Sequence, residues 1–388
     1  MTSHNRWAWV EIDLDAVAHN VRTLRSIIAP AALSAVVKAN GYGHGARAIA
    51  QCALDSGATG LCVALVAEGV ALRDAGIEAP ILVLSEQPPE LVDTLVRYQL
   101  TATVYTEQYA SMLATSVGFG SSGYPVHIKV DTGMQRVGVP AGQAIDLIRS
   151  VMSLAPRLSV EGLYTHLACA DEPSFHPNRE QLDTFSELIG DLQQLGISIP
   201  CLHAANSAGA LAIAEARFSL VRVGIALYGI SPGRGVDHLV GDLRPVMSLH
   251  ARVSYVKRVS AGSHVSYGWR HRFDRDTTLA TLPIGYADGV PRRLGTLPDR
   301  PGADVLIGGR RCPIVGVVTM DQLMVDVGDH DVSIGDQAVL IGGQGDQLVR
   351  VEEWADRLGT IGYEIVCAIS NRVPRVVRGG TVGLSIEG

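Results

Sequence analysis

The stretch ALSAVVKANGYGHGA, Ala32–Ala46, carries small and β-branched apolar residues straight into a lysine, and then into three glycines interleaved with a tyrosine and a histidine. A short continuous apolar run closed by glycine is the pattern of a strand buried on both faces, which is how strands of parallel sheets read. Taking Leu33–Val37 as that strand, the same rhythm recurs at Gly60–Leu65, Pro80–Leu84, Thr101–Val104, Pro125–Val130, Ser159–Thr165, Pro200–His203 and Leu220–Gly224. Helical spacing fills the intervals. From Phe175 to Leu195, for example, Leu182, Phe185, Leu188, Ile189, Leu192 and Leu195 form one apolar stripe at steps of three and four. Parallel strands need such crossovers, and about eight βα repeats in about 200 to 250 residues fit a closed (β/α)8 barrel. A doubly wound open sheet is the alternative with the same rhythm.

Beyond about residue 240 the texture changes. SLHARVSYVKRVSAGSHVSYG, GADVLIGGRRCPIVGVVTMDQLMVDVG and GDQAVLIGGQ are short β-branched segments broken by Gly, Asp and Pro, the spacing of a mainly antiparallel β domain. The expected organisation is therefore a barrel over residues 1–240 and a β domain over 241–388, with SPGRGVDHLVGDLRP read as a linker between them.

Composition narrows the function classes. Of 388 residues 47% are hydrophobic, enough for a large core, and the net charge of −7 is interspersed, which argues against nucleic acid or an anionic membrane as partner. The start MTSHNRWAWVEID has no export signal and no apolar run is long enough to span a bilayer, so a cytoplasmic protein is expected. Six cysteines without a CxxC pair, mostly in apolar runs, read as buried thiols rather than a disulfide frame or a metal site.

In a barrel, sites are assembled where the strands end and the βα loops begin. Lys38 ends the first strand. Lys129, Asp131 and Arg136 follow the fifth, His166 the sixth, His203, Asn206 and Ser207 the seventh, and Arg222 and Gly224 lie at the end of the eighth. One rim collects them all. Ser207 opens a helix, and Gly224 and Ile225 offer consecutive backbone N–H groups, a phosphate cradle of the kind barrels build after their last two strands. A lysine facing a phosphate site suggests pyridoxal 5′-phosphate held as a Schiff base.

The segments AVVKANGYGHG, KVDTGMQRVG, THLACAD, HAANSAGA, VRVGIALYG, HVSYG, LPIGYADG, VTMDQLMVDV and GTIGYEIV, taken in order, resemble those of the alanine racemase family over nearly the whole chain. The resemblance implies a two-base interconversion of L- and D-alanine that supplies D-alanine for peptidoglycan. Lys38 is then both cofactor anchor and one base, and Tyr267, from the neighbouring subunit of a homodimer, is the other. Two bases suit racemisation because a proton removed from one face must be returned to the other. His166 and Arg222 are implied as the network around Tyr267, with Arg222 also facing the pyridine nitrogen. Tyr42, Ser207, Tyr363, Gly224 and Ile225 are implied as phosphate ligands, with Asn206 beside them. Arg136 is implied for the cofactor phenol oxygen and the substrate carboxylate, Met320 and Asp321 for the carboxylate end, and Tyr286 with Tyr363 for a narrow entrance. Lys129 matches a position that is carbamylated in many members; unmodified, it would form a like-charge pair with Arg136.

Four rivals share parts of this pattern. A serine or broad-spectrum racemase uses the same catalytic residues. A barrel amino-acid decarboxylase shares the strand-end lysine but pairs the pyridine nitrogen with a carboxylate. A cofactor-storing single barrel stops before the β domain, and a metal-dependent barrel hydrolase built on His166 and His203 lacks the first-strand ligands it needs.

Overall fold

The computed structural model describes residues 6–118, 123–298 and 300–380. The chain divides into two compact units: residues 17–41 with 46–244, and the remainder, namely the residues up to 16, 42–45 and those from 245 onward. The first strand, β1 (Ala8–Asp13), lies in the second of these and has no counterpart in the sequence reading.

The unit around residues 17–244 is built on β2 (Ala32–Val36), β3 (Gly60–Val63), β4 (Ile81–Val83), β5 (Thr101–Val104), β6 (Tyr124–Asp131), β7 (Val139–Pro140), β8 (Leu158–Tyr164), β9 (Cys201–His203) and β10 (Leu220–Val223). Eight of these run parallel in the order β10-β2-β3-β4-β5-β6-β8-β9, with the two-residue β7 paired on β6. Where β9 meets β10, Ser219 N–H donates to Leu202 O at 3.1 Å and Arg222 N–H to Ala205 O at 3.1 Å, so the ring nearly closes. Each strand found from the apolar rhythm is present. Strands β3, β4 and β5 are buried at every position, as strands enclosed by helices must be.

Two features of this unit differ from the sequence reading. The helix His176–Gln194 buries Phe185, Leu188 and Leu192, but Leu195 lies beyond its end and is exposed. Its first turns bury Asn178 and Gln181 instead, because their amides bind loop backbone: Asn178 Nδ2 donates to Cys169 O at 3.0 Å and Gln181 Nε2 to His166 O at 3.0 Å. The segment read as a linker is also packed. It forms a short helical turn, Arg234–Leu239, with Val236 fully buried, and Asn20 clamps its end by donating to Leu227 O and Arg244 O and accepting from Arg244 N–H.

The other unit contains β11 (Met247–Arg252), β12 (Tyr255–Val259), β13 (His264–Val265), β14 (His271–Arg272), β15 (Thr277–Leu282), β16 (Asp304–Ile307), β17 (Arg310–Val315), β18 (Leu323–Gly328), β19 (Gln337–Gln344), β20 (Gln347–Val349) and β21 (Arg375–Arg378). Its main sheet runs β12-β15-β18-β17-β16-β19-β11-β1-β21, with β20 on β19. Every pair in it is antiparallel except β1 with β21. Helices Val351–Leu358 and Gly362–Ala368 accompany the sheet, the first burying Trp354 completely. Among the described residues no helix is long and apolar enough to cross a membrane. No two cysteines are joined; Cys62 and Cys312 are buried as expected, whereas Cys367 is exposed.

Candidate active site

In the barrel unit the site grows from the strand ends. After β2 the backbone reverses hand: Ala39, Asn40 and Gly41 have φ/ψ of 52/49, 53/47 and 62/45, and Tyr42 has φ 53. This is one turn of left-handed helix beginning at Lys38, a conformation that costs an L-residue roughly 1–2 kcal/mol per position. Local bonds offset that cost: Gly41 N–H donates to Val37 O at 2.8 Å, and Asn40 Oδ1 accepts from Ala46 N–H at 2.9 Å.

Across the mouth, Arg222 is 3% exposed and donates in four directions, to His203 Nδ1 at 2.6 Å, Thr165 O at 2.8 Å, Ala204 O at 3.1 Å and His166 Nδ1 at 3.3 Å. Its guanidinium also lies over the Tyr164 ring, 5.0 Å from the centroid. A guanidinium cannot accept, so both Nδ1 atoms it meets must be bare. His203 therefore carries its proton on Nε2 and donates it to His127 Nδ1 at 2.9 Å, which leaves the proton of neutral His127 on its own Nε2. His166 likewise holds its proton on Nε2. Burial, reinforced by the Arg222 charge, keeps all three rings neutral: His127 is pulled down to about 4, and His166 and His203 well below the ordinary histidine value. The His127 ring fits because its cross-strand neighbour is Gly162, where a Cβ would come within 2.4 Å of the ring.

Lys129 is 6% exposed, donates to Leu84 O at 3.3 Å and stands 5.5 Å from the Tyr164 ring centroid. Burial first, then the charges of Arg136, Arg222 and Lys38, bring its amine down to about 8. Arg136, on the loop after β6, lines one small cavity with Lys129, Thr165 and His166. Asp131 shapes that loop by accepting the Gly133 and Gln135 N–H groups at 2.9 and 3.1 Å.

Ser207 is 3% exposed, and its Oγ accepts from Gly224 N–H at 2.9 Å and Ala226 N–H at 3.3 Å. A hydroxyl whose lone pairs are both engaged is left to donate its own hydrogen, which suits a phosphate oxygen. The Gly224 N–H thus serves Ser207. Asn206 is the N-cap of the helix Ser207–Ala212, accepting from Gly209 N–H at 3.0 Å, so its side chain shapes the loop. Ile225 is buried and starts the next short helical turn.

The second unit brings together further predicted residues. Tyr42 and Tyr363 pack with ring centroids 6.1 Å apart, Tyr363 standing at the start of the helix Gly362–Ala368. Gly43, at φ +80, is required between them and that helix, since a Cβ would lie 2.5 Å from Val366 O. Arg375 Nε secures the same turn by donating to Gly43 O at 3.2 Å. Tyr286, Met320 and Asp321 are also gathered: Tyr286 N–H donates to Thr319 O at 3.0 Å, Ala287 N–H donates to Met320 O at 3.1 Å, and Asp321 pairs with Arg372 at 2.7 Å. Arg372 and Arg6 flank the fully buried Asp288 at 3.4 and 2.6 Å. Tyr267 follows Ser266, whose Oγ donates to Val317 O at 2.6 Å, and is 70% exposed.

Sequence reasoning missed His127, Tyr164 and Gln181, which hold the predicted residues without belonging to the rim pattern. The alternation in VHIKV, with His127 two residues before Lys129, was the available signal for the first of these.

Comparison with known proteins identifies the family. Residues 12–232 match the family model "Alanine racemase, N-terminal domain" and residues 246–377 match "Alanine racemase, C-terminal domain". The chain is 43% identical to the alanine racemase of Nostoc sp., with 95% of each covered, and 45% identical to that of Symbiobacterium thermophilum, with 97% of this chain and 98% of the relative covered. Among solved structures, alanine racemase from Bacillus anthracis with bound L-Ala-P superposes with a TM-score of 0.89 at 40% identity, over 98% of this chain and 97% of that one. Alanine racemase from Streptomyces lavendulae gives 0.91 at 36% identity, over 97% and 98%.

Proposed function

The chain belongs to the alanine racemase family, and we propose that it interconverts L- and D-alanine with pyridoxal 5′-phosphate anchored on Lys38. The observation that carries this reading is the buried Arg222 with its tautomer-locked histidines, a donor-only cation at the barrel mouth where a decarboxylase has a carboxylate.

The residues present fit the cofactor. Ser207 offers a committed hydroxyl donor for a phosphate, with the backbone of Ile225 beside it; the Gly224 N–H and Asn206 support that loop, and by resemblance to the family the phenols of Tyr42 and Tyr363 would add further donors. Arg222 would face the pyridine nitrogen as a donor; a guanidinium cannot protonate that nitrogen, so the ring would stay uncharged. When bound, the cofactor supplies a conjugated ring that stabilises negative charge at the substrate α-carbon.

Lys38 Nζ takes or returns the α-proton on one face, and Tyr267 of the partner subunit does so on the other. His166 presents Nε2–H as a donor suited to a phenolate. Arg136 orients the substrate carboxylate, with Met320 and Asp321 of the partner subunit closing that end. Tyr286 and Tyr363 narrow the entrance, so a small side chain is favoured. The functional form is a homodimer with composite sites, in the cytoplasm, supplying D-alanine for peptidoglycan. Serine is a slow second substrate, since an apolar pocket rejects one added hydroxyl poorly.

We further propose that Lys129 is carbamylated. An amine brought down to about 8 is partly neutral at physiological pH, and its lone pair adds to carbon dioxide with release of one proton, replacing a like-charge neighbour of Arg136 by an anion.

Circular dichroism of alanine solutions tests the activity. Either pure enantiomer should decay to a near-equal mixture, and borohydride should bleach the yellow protein and fix the cofactor to Lys38 by mass. A colourless protein that leaves both enantiomers unchanged would refute the reading.

A further inference from the structure

The left-handed turn that carries Lys38 is fastened from outside by a residue outside the predicted rim set. Glu68 is the third residue of the helix Val66–Asp74, a position from which a carboxylate ordinarily folds back onto the helix start. One oxygen does so: Oε2 accepts from Ala64 N–H at 2.8 Å and from Leu65 N–H at 3.1 Å. The other reaches across to the neighbouring loop, where Oε1 accepts from Ala39 N–H at 2.6 Å. One carboxylate therefore ties the loop after β3 to the peptide that immediately follows Lys38.

We propose that Glu68 is a positioning residue for Lys38, holding the left-handed turn so that the lysine amine meets the substrate α-carbon; the proposal rests on the reading of Lys38 as a base. Of the four residues after Lys38, the chiral ones, Ala39, Asn40 and Tyr42, all occupy a backbone region that L-residues leave when released. The bond to Ala39 N–H fixes the first peptide of that run, and with it the direction in which the Lys38 side chain departs. Loss of the bond lets the turn relax and the amine drift. Proton transfer depends steeply on such placement, and a misplacement of about 1 Å can cost on the order of 100-fold. Binding of a small substrate, which Arg136 and the carboxylate end control, is far less sensitive to it.

Glu68→Ala, Glu68→Gln and Glu68→Asp test this in the full-length protein as purified. In Glu68→Ala, kcat should fall about 10- to 100-fold with KM changed little. The step at Lys38 then limits both directions. The α-deuterium isotope effect should rise for the enantiomer whose α-hydrogen faces Lys38 and shrink for the other, whose α-hydrogen leaves in an earlier, equilibrated step. A residue important only for folding would move both alike. Hydrogen exchange read by mass spectrometry should show faster exchange in the peptide spanning Lys38–Tyr42 in Glu68→Ala. Glu68→Gln, which keeps one acceptor oxygen, should fall between Glu68→Ala and wild type in both rate and exchange. If Glu68→Ala fails to fold, Glu68→Asp, one methylene too short to span both loops, takes its place. Unchanged exchange, or a rate loss with isotope effects that stay symmetric, overturns the proposal. Should wild type itself leave alanine unracemised, the functional reading falls, while the exchange data still judge whether Glu68 holds the turn.

Discussion

The two halves of the predicted residue set differ sharply in how finished they are. At the barrel mouth, Arg222 and His203 are buried and His166 is half-buried; with His127, which the sequence reading missed, they share one hydrogen-bond chain whose tautomers are dictated by a cation that can only donate. On the β domain, Tyr267, Met320 and Tyr286 are 70%, 52% and 41% exposed, with their backbone held firmly and their side chains in solvent. A preorganised electrostatic network needs burial to work, whereas apolar and phenolic groups left in water are characteristic of a surface that a second copy covers. The contrast is what the proposed homodimer calls for: a finished network within one chain, and exposed side chains on the β domain that a second copy would cover.

The largest effect expected from this contrast is complementation. Lys38→Ala and Tyr267→Phe alone should each lose about 1,000-fold or more in kcat. Mixed and reassorted, half the dimers are heterodimers with one intact site each, so about a quarter of wild-type activity should return. A mixture that stays as inactive as its parents would show that each chain works alone.

Acid should break the buried half next. His127 is about 4 when folded against 6.5 when free, so the unfolded chain binds more protons between those values, and stability falls as pH drops through that window. This ring alone contributes a loss on the order of 3 kcal/mol by pH 4, with His166 and His203 adding in the same direction. Urea midpoints between pH 7 and 4 measure it, and His127→Asn should flatten the slope. Gly162→Ala is milder: a Cβ 2.4 Å from the His127 ring should cost about 1–3 kcal/mol and perturb Arg222 through His203, readable as a lowered Tm with altered cofactor absorbance. The smallest signal is at Lys129. Intact mass in bicarbonate should show one added carbon dioxide that Lys129→Ala lacks, and bicarbonate should raise wild-type activity by a few-fold at most.

Legibility followed the same division. The eight parallel strands were readable because strands buried on both faces leave continuous apolar runs, and the rim residues because strand ends are marked by the glycines and polar residues that stop them. β1 was not, since AWVEID alternates and pairs with β11 and β21, which lie more than two hundred residues away in sequence. Glu68 and Gln181 were hidden for another reason: each reads as an ordinary helix residue, and only the fold shows that its amide or carboxylate reaches a loop carrying Lys38 or His166.

Local pattern therefore determined the barrel, the antiparallel domain and the residue types at the mouth, because hydrophobic period and turn chemistry act over a few residues. Tertiary structure decided the left-handed turn at Lys38, the proton positions on three histidines and the packing of the segment Arg234–Leu239. Those depend on hydrogen bonds between groups distant in sequence, whose partners exist only once the strands have closed around them.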